Sequence, residues 1–207
     1  MTDFDQPHLF VKVCGLRTRP DVATAVGSGA DAVGFILTPS PRQIAPAEVR
    51  RLVDDVPPGV LTVGVFRGEP VEQVRSAVAE SGVRAIQLHG DEPASHFDAL
   101  GDLGLPLIRA TSPAGDLRTG SHGEDLLLVD SPKPGSGTAW EWTDLAGAID
   151  GRWLLAGGLN PGNVGAAVAA LHPWGLDVSS GVEASRGVKD PGLIRAFLAA
   201  ARTAELG

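Results

Sequence analysis

The 207-residue chain is 43% hydrophobic and 20% charged, the profile of a folded globular protein and not of a disordered one, and its length suits a single domain spanning residues 1–207. A formal net charge of −8 excludes wholesale attraction to nucleic acid or an anionic membrane, so any anionic ligand must be held by a local site. The lone cysteine, Cys14, excludes an internal disulfide framework; with a polar start unlike a signal peptide and no apolar run near roughly 20 residues, it predicts a cytoplasmic protein.

Short apolar runs recur along the chain: Leu9–Cys14, Asp31–Leu37, Val60–Phe66, Val83–His89, Pro106–Ala110, Asp125–Asp130, Trp153–Ala156 and Leu176–Ser179. Helical spacing separates most of them. Between the first two, Val22, Ala25 and Val26 share a face; after the third, Val71, Val74 and Val78 do so. Asn160-Pro161 reads as an N-cap followed by proline at the first helical position, and a last helix starts near Pro191. The weakest element is the fifth helix, because Thr111–His122 is rich in Gly, Ser and Pro. Eight strands alternating with helices predict one (β/α)8 TIM barrel, whose chemistry sits where the strands end. Polar residues interrupt the apolar runs at those ends: Lys12, Cys14, His89, Asp130 and Asp177.

Two glycine-bearing loops follow strands seven and eight. In Ala156–Asn160 the pair Gly157 and Gly158, and in Ser179–Glu183 the pair Ser180 and Gly181, stand where barrels present backbone N–H groups to a phosphate. A Cβ there would hold the backbone away from the oxygens. Simple turns are the alternative; two such loops in these two slots favour a phosphorylated small-molecule substrate.

Seven motifs stand in order. They are Lys12–Leu16 (KVCGL), Asp31–Phe35 (DAVGF) with Ser40–Ile44 (SPRQI), Val63–Phe66 (VGVF), Gln87–Glu92 (QLHGDE), Leu128–Asp130 (LVD), Ala156–Pro161 (AGGLNP), and Asp177–Glu183 (DVSSGVE) with Gly187–Asp190 (GVKD). In this order and spacing the chain resembles the phosphoribosylanthranilate isomerase family nearly end to end. The resemblance implies an isomerase of tryptophan biosynthesis acting on a phosphorylated sugar–anthranilate conjugate. It implies Cys14 as general base, Asp130 as general acid and Arg42 as the partner of the anthranilate carboxylate, with His89 and Asp177 at further active-site positions. One departure is the loop after Asp130, Ser131–Thr138 before Trp140 and Trp142, where the family has a longer glycine-rich stretch and this chain has Pro134.

The implied reaction, an aminoaldose becoming an aminoketose, needs one acid and one base and neither cofactor nor metal. The five histidines are scattered without metal-site spacing. At ordinary pKa values about 3% of a cysteine is thiolate and about 0.1% of an aspartate protonated at pH 7. Lys12, two residues before Cys14 on the same strand face, is expected to lower the thiol, and burial to raise Asp130. Each residue also has a plainer reading. Cys14 could be a small core residue, Asp130 a loop cap, Arg42 a solvated charge, His89 a rim histidine, and Asp177 a structural partner of Lys12. Trp140, Trp142, Trp153 and Trp174 read as packing residues.

Two other functions compete. The histidine-pathway barrel performs the same rearrangement on a substrate with two phosphates, but uses an aspartate where this chain has Cys14. A non-catalytic phosphosugar-binding barrel needs neither Cys14 nor Asp130. Monomer and homodimer both remain open.

Overall fold

The structure is a computed structural model and describes residues 8–131, 145–149 and 151–205. All eight expected strands form: β1 (Phe10–Cys14), β2 (Ala32–Ile36), β3 (Leu61–Phe66), β4 (Ala85–Leu88), β5 (Leu107–Thr111), β6 (Leu126–Val129), β7 (Trp153–Leu155) and β8 (Gly175–Val178). Each pairs in parallel with its neighbour, and β8 returns to β1 with Phe10 opposite Gly175 and Lys12 opposite Asp177, closing the barrel.

Alternation sorts the side chains. Phe10, Cys14, Leu61, Val63, Ile108, Leu128 and Leu154 belong to the cluster inside the barrel, whereas Val11, Val13, Val33, Leu127 and Leu155 pack outward. Outside lie α1 (Arg19–Gly27), α2 (Pro46–Val53), α3 (Val71–Ser81), α4 (Ala94–Leu100), α5 (Val164–Leu171) and α6 (Pro191–Glu205). Thr18 caps α1 by accepting the Asp21 N–H, and Gly82 ends α3 at φ 68°, a left-handed position that glycine adopts without strain. Trp153 is buried in the outer core and Trp174 stacks on Phe10 with ring centroids 4.9 Å apart, both as packing residues.

Two connections differ from expectation, and a third carries structure that the sequence pattern leaves unassigned. Residues 112–124 form turns with no helix. The outer face of β5 carries Arg109, whose guanidinium Nε donates to Glu124 (2.7 Å) and whose two terminal nitrogens donate to the Asp116 and Arg118 carbonyls (2.9 Å each). That buried cation organises the loop where a helix would have packed. Second, α5 starts at Val164, not at Pro161. Asn160 caps a preceding turn instead, accepting the Gly162 N–H at 2.8 Å, while Asn163 Oδ1 accepts the Asn160 N–H. Third, the segment after Ser180 continues as an antiparallel hairpin of β9 (Glu183–Ser185) and β10 (Val188–Lys189). The loop bearing Pro134, Trp140 and Trp142 lies outside the described residues. Among the described residues no helix is long and apolar enough to cross a membrane.

Candidate active site

The polar strand ends converge on the C-terminal mouth of the barrel. Cys14, Arg42, His89, Asp130 and Asp177 all line one cleft of about 260 Å³. A second cavity of about 500 Å³ adjoins it, sharing Arg67, His89 and Asp130. Two carboxylates tie its rim. Glu92 accepts the Gly68 and Gly90 N–H groups at 2.6 and 2.8 Å, and Glu69 accepts the Arg67 N–H at 2.6 Å and the Thr38 hydroxyl.

Lys12 and Cys14 point into the barrel from β1. Lys12 is fully buried, and its ammonium meets Asp177 at 2.8 Å. Burial opposes its charge, but the Asp177 carboxylate and the neighbouring Cys14 outweigh burial and push the Lys12 pKa up to about 12. The expected lowering of Cys14 does not occur. Burial raises the thiol, Lys12 pulls it down, Asp177 pushes it up, and the net result lies above the ordinary value. Lys12 is largely neutralised by Asp177, which leaves burial in command. Space for the pair comes from Gly34, opposite Cys14 in β2; a Cβ there would stand 2.8 Å from Cys14 Sγ and 3.1 Å from Lys12 Cε.

Asp130 follows β6. Its Oδ2 lies 3.1 Å from His89 Nε2, and its Oδ1 accepts the Ser131 N–H at 2.7 Å. His89 is thus joined to Asp130, and its other nitrogen meets Gln87 at 2.7 Å. Gly157, at φ 83°, sits against this group; a Cβ would come 2.6 Å from Asp130 Oδ1 and 2.5 Å from the Ser131 nitrogen.

Arg42 is buried, not the solvated charge of its plainer reading. It forks onto Glu183 through Nε (2.6 Å) and Nη2 (3.0 Å), and those bonds raise its pKa. Glu183 also accepts from Lys189 Nζ (3.1 Å) and the Gly187 N–H (3.0 Å). Burial works against its charge, yet Arg42 and these donors hold Glu183 down to about 2, and burial lowers Lys189. Lys189 also donates to the Ser179 carbonyl at 2.7 Å, tying the hairpin to the eighth loop. Glu183 and Lys189 stand in the quoted motifs, but Glu183 meets Arg42 across 141 residues of sequence, a contact that spacing does not reveal.

At the seventh and eighth loops, Gly158 has φ 70° and Ser180 opens a single 3-10 turn, Ser180–Val182. The N–H groups of Gly158, Ser180 and Gly181 meet no acceptor among the described residues. Gly181 has a packing reason of its own, since a Cβ there would land on the Leu159 carbonyl of the neighbouring loop.

Eight parallel strands closed into a barrel, with a buried thiol and a carboxylate lining one cleft at their C-terminal ends and glycine loops beside them, define a (β/α)8 barrel of the class that carries its site at that mouth. The sequence matches the N-(5'-phosphoribosyl)anthranilate isomerase family over residues 11–200. The chain belongs to that family. An N-(5'-phosphoribosyl)anthranilate isomerase of Symbiobacterium thermophilum is 41% identical, with 94% of this chain and 98% of that one covered. The crystal structure of phosphoribosyl anthranilate isomerase from Thermus thermophilus superposes with TM-score 0.86 at 39% identity, covering 96% of this chain and all of that one. A phosphoribosyl anthranilate isomerase solved in complex with reduced 1-(o-carboxyphenylamino)-1-deoxyribulose 5-phosphate superposes with TM-score 0.82 at 33% identity over 94% and 99% of the two chains.

Proposed function

We propose that this chain converts N-(5-phosphoribosyl)anthranilate to 1-(2-carboxyphenylamino)-1-deoxyribulose 5-phosphate, the isomerisation step of tryptophan biosynthesis, with Asp130 as acid and Cys14 as base. The observation that carries the reading is that both residues line one cleft at the barrel mouth, beside Arg42. Asp130 gives its proton to the furanose ring oxygen while the anilino nitrogen pushes the C1–O bond open and forms an iminium. Cys14 then removes the proton from C2, leaving an enol. Ketonisation, with one proton arriving at C1 and one leaving the C2 oxygen, completes the rearrangement with no change in the substrate's atoms. Neither step needs an electron sink or a Lewis acid.

A thiol raised by burial rests protonated, which looks wrong for a base. The iminium supplies the correction. A cation formed beside the sulfur in a cavity of low dielectric lowers the thiol pKa when the base is needed. The thiol proton passes to water in the cleft, and Lys12, held as an ammonium, then faces a thiolate in place of a thiol.

The same reading assigns the two anionic ends of the substrate. Gly157, Gly158, Ser180 and Gly181 offer backbone to the phosphate, supported by the unengaged N–H groups of Gly158, Ser180 and Gly181. Arg42 spends Nε and Nη2 on Glu183, which fixes the guanidinium plane and leaves Nη1 for the anthranilate carboxylate. A free cysteine suits a reducing cytoplasm, where we place the protein.

The test is a fluorescence assay of freshly prepared phosphoribosylanthranilate with purified protein. Wild type consumes the substrate after exhaustive chelation, and Cys14→Ala and Asp130→Asn each lower kcat by about 10²-fold or more with unchanged far-UV circular dichroism. Near-wild-type turnover in either variant removes that residue from the mechanism.

A further inference from the structure

Gln87 lies in the middle of β4, between Ile86 and Leu88, and is completely buried. Its Nε2 is 2.7 Å from His89 Nδ1, and its Oε1, also buried, has no hydrogen-bond partner among the described residues. An orphaned buried carbonyl costs roughly 1–3 kcal/mol and calls for a reason. The imidazole extends the chain of contacts, with Nε2 3.1 Å from Asp130 Oδ2. Gln87 and Asp130 are the only hydrogen-bond partners of the His89 ring among the described residues.

The two ends of an amide have nearly the same shape, so a half-turn exchanges them, and the hydrogen-bond network decides which end faces His89. In one arrangement the amide N–H donates to Nδ1. A neutral imidazole then carries its proton on Nε2 and donates it to an Asp130 carboxylate. In the other, Oε1 accepts from Nδ1–H. Nε2 then presents a lone pair, which accepts the O–H of a protonated Asp130. The first suits Asp130 after it has given up its proton, the second Asp130 before it. Each leaves one end of the amide unmatched, so neither is locked.

We propose that Gln87 is a positioning residue that, through the tautomer of His89, holds Asp130 as the protonated acid before ring opening and as a hydrogen-bonded carboxylate after it. The proposal rests on the reading of Asp130 as the acid. The proton count closes. Asp130 passes one proton to the ring oxygen; the imidazole gives its Nδ1 proton to water and takes one from water at Nε2 as the amide turns; on recharging, Nε2 hands its proton to Asp130 and Nδ1 takes one from water as the amide turns back. Among the described residues, the other charged or titratable groups around the two cavities are Cys14, Arg42, Arg67, Asp91, Asp177 and Arg186. All can bias when Asp130 gains its proton, but only Gln87 contacts Nδ1 among the described residues.

The experiment is 15N NMR of the full chain labelled at histidine, with the His89 signals identified by their loss in His89→Asn. The expected result is a neutral ring whose proton sits on Nε2 at high pH and moves to Nδ1 as Asp130 takes up its proton. In Gln87→Glu, whose carboxylate only accepts, the proton stays on Nδ1 over the whole pH range in which that carboxylate is ionised. In Gln87→Met kcat falls about tenfold or more while KM stays within about twofold. A wild-type ring that passes directly from the Nε2–H form to the imidazolium overturns the proposal, and so does an unchanged kcat in Gln87→Met. If Gln87→Met does not fold, the wild-type spectra still decide. The spectra need no turnover, so a chain without isomerase activity would defeat the functional reading separately.

Discussion

Gly34→Ala tests whether the position of the Cys14 sulfur matters to the chemistry. Alanine suits a strand, and removing a glycine alone stabilises by roughly 0.4–1 kcal/mol. Here the new methyl would stand 2.8 Å from Cys14 Sγ, 3.1 Å from Lys12 Cε and 3.2 Å from the Cys14 Cα, in a buried layer. To reach about 3.5 Å, the near edge of a favourable contact, the sulfur must retreat by about 0.7 Å. Overpacking of this kind costs about 1–3 kcal/mol, so the clash outweighs the entropic gain. At about 2–4 °C per kcal/mol for a domain of this size, the melting temperature should fall by several degrees. A displacement approaching 1 Å at the base should lower kcat by about 10- to 100-fold. The anchors proposed for phosphate and carboxylate lie on other loops, so KM should stay within about threefold. Calorimetry and steady-state kinetics on the same preparation read both effects. A lowered melting temperature with full kcat would refute the reasoning, because the clash would then be real and the sulfur's position irrelevant.

Asp177→Asn removes a carboxylate that pushes the Cys14 thiol upward and leaves Lys12 beside the sulfur without its counter-ion. A base works deprotonated, so the rising limb of kcat/KM against pH should move to lower pH; movement to higher pH would reverse the assigned sign. Arg42→Ala should lower kcat/KM by about 10- to 150-fold for the natural substrate and cost little for an analogue lacking the carboxylate. Equal losses for both would make the arginine structural, a keeper of Glu183. Inorganic phosphate should inhibit competitively at millimolar levels; Gly158, at φ 70°, does not lend itself to a side-chain test of the same site, because a branched residue strains the backbone there. Gly181 is unsuitable for that test, since any side chain there collides with Leu159 whether or not an anion binds.

The strands were legible because each faces the barrel interior on one side and the helices on the other, which makes the runs almost wholly apolar. Cys14, Asp130 and Asp177 stood out for the same reason, as polar interruptions at the ends of such runs. Gln87 offered an equal signal, a polar residue inside Ala85–Leu88, yet attention to strand ends passed over the middle of a strand. The Arg42–Glu183–Lys189 network was hidden because it joins the second loop to a hairpin after the eighth strand, and only barrel closure brings them together. Gly34 lies unremarked in the run Asp31–Phe35; its purpose shows only with Cys14 and Lys12 beside it. The start of α5 was misplaced because Asn160-Pro161 carries helix-start chemistry that is spent on an isolated turn. The missing fifth helix was foreshadowed by glycine, serine and proline, but nothing local announced that Arg109 would fill its place.

That substitution of a cation for a helix alters how the outer wall of the barrel can change over generations. A helix spreads its grip over many apolar contacts and tolerates piecemeal replacement. Here the fifth connection depends on one guanidinium whose donors are shared among Glu124 and two main-chain carbonyls. Loss of Arg109 would strand a buried carboxylate, and loss of Glu124 a buried cation, so neither half is free to drift alone. Positions 109 and 124 therefore constrain one another: a substitution at either alone leaves a buried charge without its partner, and only a paired change, with the loop rebuilt around it, avoids that cost.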